Sequence, residues 1–185
     1  PIIITSLGAR EDINAAAHSY GGVVLHDVIN NKHAHKAIEK GADGLIAVAS
    51  NFREVWAFGT NSIEVWYDSG ATDFPLQRIQ GAFNELGLAA PYSVAKMDNG
   101  LFWLGKDARG NGIVYRSKGY SGERISTHAV EWQIQQYTTL ADAVAYTYQQ
   151  DGHAFYVLNF PTANTTWVYD VSTGAWHERA GWENN

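Results

Sequence analysis

The chain has 185 residues, 45% of them apolar and 17% charged, with a formal net charge of −6. That composition belongs to one folded domain or two small ones and excludes a disordered tail. The absence of cysteine removes disulfides, thiolate nucleophiles and cysteine zinc sites together, and leaves the redox compartment open. No apolar run is long enough to cross a membrane as a helix, and Ile2 to Ile4 is too short for a signal-peptide core. A broad nucleic-acid-binding face is not expected from 13 basic residues scattered among 19 acidic ones. Residue 1 is Pro rather than Met, which suggests an excerpt or a processed product.

Aromatic residues divide the chain: residues 1–49 hold only Tyr20, and all seven Trp lie beyond. In the first part, Ile2 to Thr5, Val23 to His26 and Leu45 to Val48 are short β-branched runs that read as buried strands. Between them, Glu11 to Ser19 and Lys32 to Lys40 are rich in Ala and free of Gly and Pro. The second has Ala34, Ala37 and Ile38 at helical spacing and Gly41 as a stop. The expected unit is βαβαβ with parallel strands. Three strands and two helices can neither cover both faces of a parallel sheet nor close a barrel, so this piece should be the less stable one.

The second part alternates instead. Ile63-Glu64-Val65-Trp66-Tyr67-Asp68 turns at Ser69-Gly70 and leads to Phe74–Ile79. Gly112 to Ser117 turns at Lys118-Gly119, and Thr166 to Asp170 turns at Thr173-Gly174 before Trp176 to Arg179. Val65, Val114 and Val168 fall 49 and 54 residues apart. Ahead of each phrase stands another hairpin: Val55 to Phe58 before Gly59-Thr60-Asn61, then a pair around Asp98-Asn99-Gly100, then a pair around Asp151-Gly152. Asn-Gly and Asp-Gly favour tight turns because both central positions need positive φ. Four short strands per repeat of roughly 50 residues is the pattern of a β-propeller blade. Blades at about Tyr92 to Ser126 and Ala143 to Arg179 read as complete, and one at about Val55 to Ile79 as partial. His128 to Gln136 reads as a short helix between blades. The fold class is therefore mixed and mainly all-β: an incomplete propeller of four-stranded blades (50–185) preceded by an α/β fragment (1–49), with further blades expected outside this text.

Residues 50–185 resemble the packaged-DNA stabilisation proteins of short-tailed phages. The likeness is carried by Phe58-Gly59 with Ile63 to Tyr67, Phe74 to Ile79, Tyr92 to Lys96 through Leu101 to Gly105, Ile125 to Glu131, and Ala145 to Gln150 through Trp167 to Asp170. The resemblance implies a propeller-like virion component of the tail hub, assembled in the host cytoplasm. It implies a ring of the full-length parent that contacts other tail and portal-ring proteins and helps to keep packaged DNA from leaking. It implies no catalysis; no cofactor, no membrane association and no sequence-specific nucleic-acid binding are expected of the chain.

Residues 1–49 resemble the middle of a nitronate monooxygenase of the 2-nitropropane dioxygenase family, a flavin-dependent (β/α)₈ barrel. Ile4 to Gly8, Gly22 to Asn30 and Lys36 to Ile46 carry that likeness. In that family the strand corresponding to Leu45–Ala49 runs into a Gly-Gly-His-x-Gly segment that brings a catalytic His to the flavin. Here Ala49 is followed by Ser50-Asn51-Phe52-Arg53, so FMN chemistry belongs only to an alternative reading in which this is an inactive remnant. The switch at about Val48 to Phe52 has no Gly, Ser or Pro linker, which favours a joined or misassembled reading frame over an evolved fusion.

Candidate site residues are few. His26-Asp27 ends a predicted parallel strand, where barrel enzymes place active-site groups. His33 and His35 are two apart on a predicted helix and so face different ways. His128 and Glu131 have i, i+3 spacing but no visible third ligand, and His153 and His177 fall in predicted strands. Trp66, Trp103 and Trp167 recur at related places and are expected in inter-blade cores; the competing reading is a carbohydrate-stacking platform. Arg78, Arg124 and Arg179 recur near repeat ends, as edge charges, blade-to-blade salt bridges or subunit contacts. Asn164-Thr165-Thr166 fits a glycosylation pattern that short motifs often match by chance. No catalytic, cofactor-binding or metal-ligating residue is assigned.

Overall fold

The computed structural model describes residues 2–5, 10–27, 39–40, 44–72, 76–108 and 110–179. Three stacked antiparallel sheets make up its bulk. The first joins β3 (Gly44–Asn51), β4 (Glu54–Phe58), β5 (Ile63–Asp68) and β6 (Leu76–Asn84) in chain order. The second runs β11 (Ser121–Arg124), β10 (Gly110–Lys118), β9 (Gly100–Asp107). Its inner edge is split into β7 (Gly87–Leu88) and β8 (Ala95–Met97), each paired to β9, with a 3₁₀ turn at Pro91–Ser93 between them. The third joins β12 (Val144–Gln150), β13 (His153–Phe160), β14 (Thr165–Asp170) and β15 (Ala175–Arg179).

Period-2 alternation builds the stack, because opposite side chains of one strand enter different cores. On β9, Leu101 and Trp103 join Trp56, Phe58, Ile63 and Val65 of the first sheet, while Phe102 and Leu104 join Tyr156, Leu158 and Phe160 of the third. On β10, Ile113 and Tyr115 face the first sheet and Val114 the third. The middle sheet is thus covered on both faces by its neighbours, which is the packing of propeller blades. We call the sheets blades 1, 2 and 3.

Blade 1 is not partial. The expected three strands gain a fourth, β3, which registers Ala47 against Phe58 through Asn51 against Glu54. Its Ala, Val and Ser residues lack the aromatic signature of the other strands, so alternation alone did not mark it as part of a blade. The same strand pairs in parallel with β2 (Val23–Asp27), but only over Gly44 to Ile46. β2 in turn pairs in parallel with β1 (Ile2–Thr5), with α1 (Glu11–Ser19) between them. Pairing on β3 passes from the parallel unit to blade 1 between Ile46 and Ala47, and the compositional step at 49/50 falls inside the strand. The predicted βαβαβ unit is described only in part, since most of Lys32 to Lys40 lies outside the described residues.

Turn chemistry accounts for the hairpins. Asp151 and Gly152 have φ of 51° and 80° between the paired Gln150 and His153. In blade 2 the turn centre lies one residue earlier than expected: Asp98 and Asn99 have the positive φ values, and Gly100 already pairs with Met97. α2 (His128–Gln135) follows blade 2, with the Thr127 hydroxyl capping it by accepting from the Val130 amide.

Candidate functional site

The polar residues that could have carried chemistry are mostly engaged in holding the stack together. Glu131 is 5% exposed and accepts from the Arg124 guanidinium on both oxygens, with Nε at 2.6 Å from Oε1, and from the Ser126 hydroxyl at 2.6 Å. His128 Nδ1 lies 2.9 Å from Arg124. The His128–Glu131 pair therefore belongs to a knot tying β11 to α2, in which the carboxylate is neutralised and saturated. Ser93 plays a similar part between blades 2 and 3: its hydroxyl accepts from the Leu104 amide at 2.9 Å and its carbonyl from the Tyr156 hydroxyl at 2.8 Å. Burial pushes the Tyr156 phenol far up, so it stays a neutral donor.

The Trp series divides. Trp56 and Trp103 are fully buried, with ring centroids 6.4 Å apart between blades 1 and 2. Trp167 and Trp176 are half-buried against the second core and donate their indole N–H to the Tyr137 hydroxyl and the Ile125 carbonyl, at 3.0 and 2.9 Å. Trp66 differs: it is half-buried on the outer face of blade 1, away from the inter-blade core. Trp132 on α2 is 59% exposed, and the series gave no hint of it.

The Arg series makes no blade-to-blade salt bridge among the described residues. Arg78 pairs with Glu64 at 2.9 Å within blade 1, Arg124 binds Glu131, and Arg179 bonds the Tyr148 hydroxyl within blade 3. His153 donates to Asp170 at 2.8 Å. Asp170 also accepts from the Thr173 hydroxyl and the Ser172 amide and is 4% exposed. Burial works to raise its pKa; Thr173, His153 and the Ser172 amide outweigh that and hold it below the ordinary carboxylate value. These groups close the β14–β15 turn onto β13. His177 on β15 is exposed. His26 is buried in β2, whereas the Asp27 side chain, His33 and His35 lie outside what the structure describes. Asn164 is exposed at a turn with φ of 50°.

A cleft of about 570 Å³ opens between the β8–β9 and β12–β13 turns, lined by Asp98, Gln149, Asp151, His153 and Ser172 among others. Its imidazole is committed to Asp170, and among the described residues no cluster of three His, Asp or Glu could hold a metal.

What remains unspent is surface at the two ends of the stack. Blade 1 turns outward Val48, 45% exposed, and Phe83, 50% exposed, with Val55, Ala57 and Trp66 on the same face. Blade 3 turns outward Val144, 42% exposed, and Tyr146, 53% exposed. Beside them Tyr148 stacks on Phe155 with centroids 4.8 Å apart, and the Arg179 guanidinium lies 5.4 Å from the Tyr148 ring. Tyr and Arg on a rigid sheet are the residues that most often anchor protein contacts. Alternation places these side chains opposite the core; on the blade 3 face the centre is closed, with Val157 and Val168 at 0% and 1% exposure, and only the edge strand is open.

Residues 26–184 match a family model described as bacteriophage P22 Gp10, β-propeller. That span takes in β3 and part of the segment resembling nitronate monooxygenase. No curated protein matches the chain.

Proposed function

The chain belongs to the bacteriophage P22 Gp10 β-propeller family of phage structural proteins, and from that premise we propose that it is a tail-hub component that helps retain packaged DNA by mechanical means. One observation carries the reading: the middle blade is buried on both faces and the conspicuous ionisable groups close turns and knots. A body built this way resists load and offers its surfaces, rather than a pocket, to its neighbours. Those neighbours are other tail proteins, the portal ring and further copies of the subunit in the full-length parent. With a net charge of −6, DNA is held by a physical plug and not by phosphate neutralisation.

The test is genetic and physical. In a phage carrying this gene, disruption of the reading frame should yield heads that package DNA and then lose it to added nuclease, with retention restored by supplying the protein. Mutant virions that keep their DNA and their titre would refute the role.

A further inference from the structure

The first hairpin of each blade closes through a two-residue turn, and in each the leading turn residue has left-handed backbone. Blades 2 and 3 use Asp98 and Asp151 there, with φ of 47° and 51°, whereas blade 1 uses Phe52, with φ of 56°. Asp tolerates that region because its short polar side chain bonds locally; Phe has no such compensation and is strained. Burial does not offset the cost, since Phe52 is 70% exposed, more than any other large apolar side chain among the described residues. Two cations flank the ring. Arg53 follows it in the turn and is exposed, and Lys96 Nζ of blade 2 lies 5.9 Å from the ring centroid. Neither has a carboxylate partner among the described residues, because the acids beside them are engaged elsewhere: Glu54 accepts from the Tyr120 hydroxyl at 2.8 Å, and Asp98 from the Arg116 guanidinium.

We propose that the β3–β4 turn is a docking point for an acidic segment of a partner protein, the Phe52 ring anchoring an apolar side chain of that segment while Arg53 and Lys96 pair with its carboxylates. Charge complementarity names the occupant: in a chain of net charge −6, two uncompensated cations stand together beside one exposed ring. Duplex DNA is the poorer fit, because it presents a charge about every 1.7 Å and two cations neutralise only a fraction of them. Aromatic and Arg side chains are the residues enriched where proteins meet. The corner is also held firmly, since the Thr147 hydroxyl of blade 3 donates to the Lys96 carbonyl at 3.2 Å and brings the third blade up to the second beside the turn. A strained, exposed Phe in the place where the other blades use Asp is explained by a contact made outside the fold. The inference stands on this turn and its charges and not on the virion role, so either can fail alone.

Fluorescence anisotropy of a short labelled peptide alternating Glu and Leu should rise saturably as the full chain is added, and added salt should weaken the binding. Arg53→Glu combined with Lys96→Glu should weaken it about tenfold or more. Both side chains are exposed, so near-ultraviolet dichroism of that variant should show unchanged folding. Phe52→Asn should weaken binding by a similar factor and yet raise the melting midpoint by about 2–4 °C, since Asn accepts left-handed backbone that strains Phe. A peptide alternating Lys and Leu should not bind. Absence of saturable binding by the Glu–Leu peptide at millimolar concentration would overturn the proposal, as would equal binding of the Lys–Leu peptide. Tighter binding of single-stranded oligothymidylate would assign the turn to nucleic acid and overturn it too. A Phe52→Asn chain that melts below the wild type would show that the ring supports the fold and not a partner.

Discussion

At the scale of single residues, Glu131 is the most exacting position. Its carboxylate neutralises Arg124 and accepts from Ser126 while almost wholly buried. Glu131→Ala strands the guanidinium, and urea unfolding should show a loss of about 3 kcal/mol, the low end for breaking a buried pair, because Arg124 keeps part of its surface in water. Trp103 has no exposed surface and touches Trp56, Phe58 and Tyr115. Trp103→Ala should cost about 3–5 kcal/mol in the same measurement, since a cavity there opens between two sheets that cannot collapse onto it. Asp170 sets a pH dependence. Its pKa is depressed in the fold, so its stabilisation is present above the unfolded-state value and is lost as pH falls through the folded-state value. Thermal melts should drop on acidification through the carboxylate range, and Asp170→Asn should flatten that part of the profile. A profile unchanged by the substitution would assign the acid sensitivity elsewhere.

At the scale of elements, blade-to-blade approach depends on residues with no side chain. A Cβ on Gly87 would run into the Thr60 carbonyl and the Lys106 side chain, where β7 meets the β4–β5 turn and Leu88 donates to Gly59 at 2.9 Å. The first obstacle is backbone, which cannot swing aside. Gly87→Ala should therefore force blades 1 and 2 apart and destabilise the chain by about 1–3 kcal/mol, the cost of overpacking. Gly152→Ala supplies the contrast: its Cβ meets open space, and only the positive φ of 80° resists it. The hairpins and α2 were legible in the sequence because turn residues and alternation act over a few residues. β3 was misread as part of the barrel fragment alone, because its small residues take their place in the blade from pairing with β4, a partner that local pattern does not name.

At the scale of the whole molecule, the three blades and the β1–α1–β2 unit differ in cover. β9 and β10 lie between two cores, whereas the parallel unit hangs on three registered pairs with β3. Hydrogen exchange should find Val24 and Leu25 opening well before Tyr156 to Leu158. Equal protection would mean that the parallel unit and blades unfold together. The same contrast bears on the flavin alternative: a colourless preparation that takes up no FMN is expected. For the carbohydrate alternative, emission from the buried Trp56 and Trp103 should not respond to added sugars, and quenching there would revive it.

Residue order by itself determined that the hairpin strands exist, that two blades hold four of them, where they turn to within a residue, and which side chains alternate, because those properties follow from backbone preference and a period of two. It also brought the likeness to a phage structural family into view through phrases such as Ile63 to Tyr67 and Trp167 to Asp170. Only the tertiary structure decided that β3 completes blade 1, that Glu131 is tied to Arg124 and Ser126, and that Trp66 points away from the core holding Trp103. Each depends on which strand stands beside which, a matter of pairing between distant segments that no local periodicity encodes.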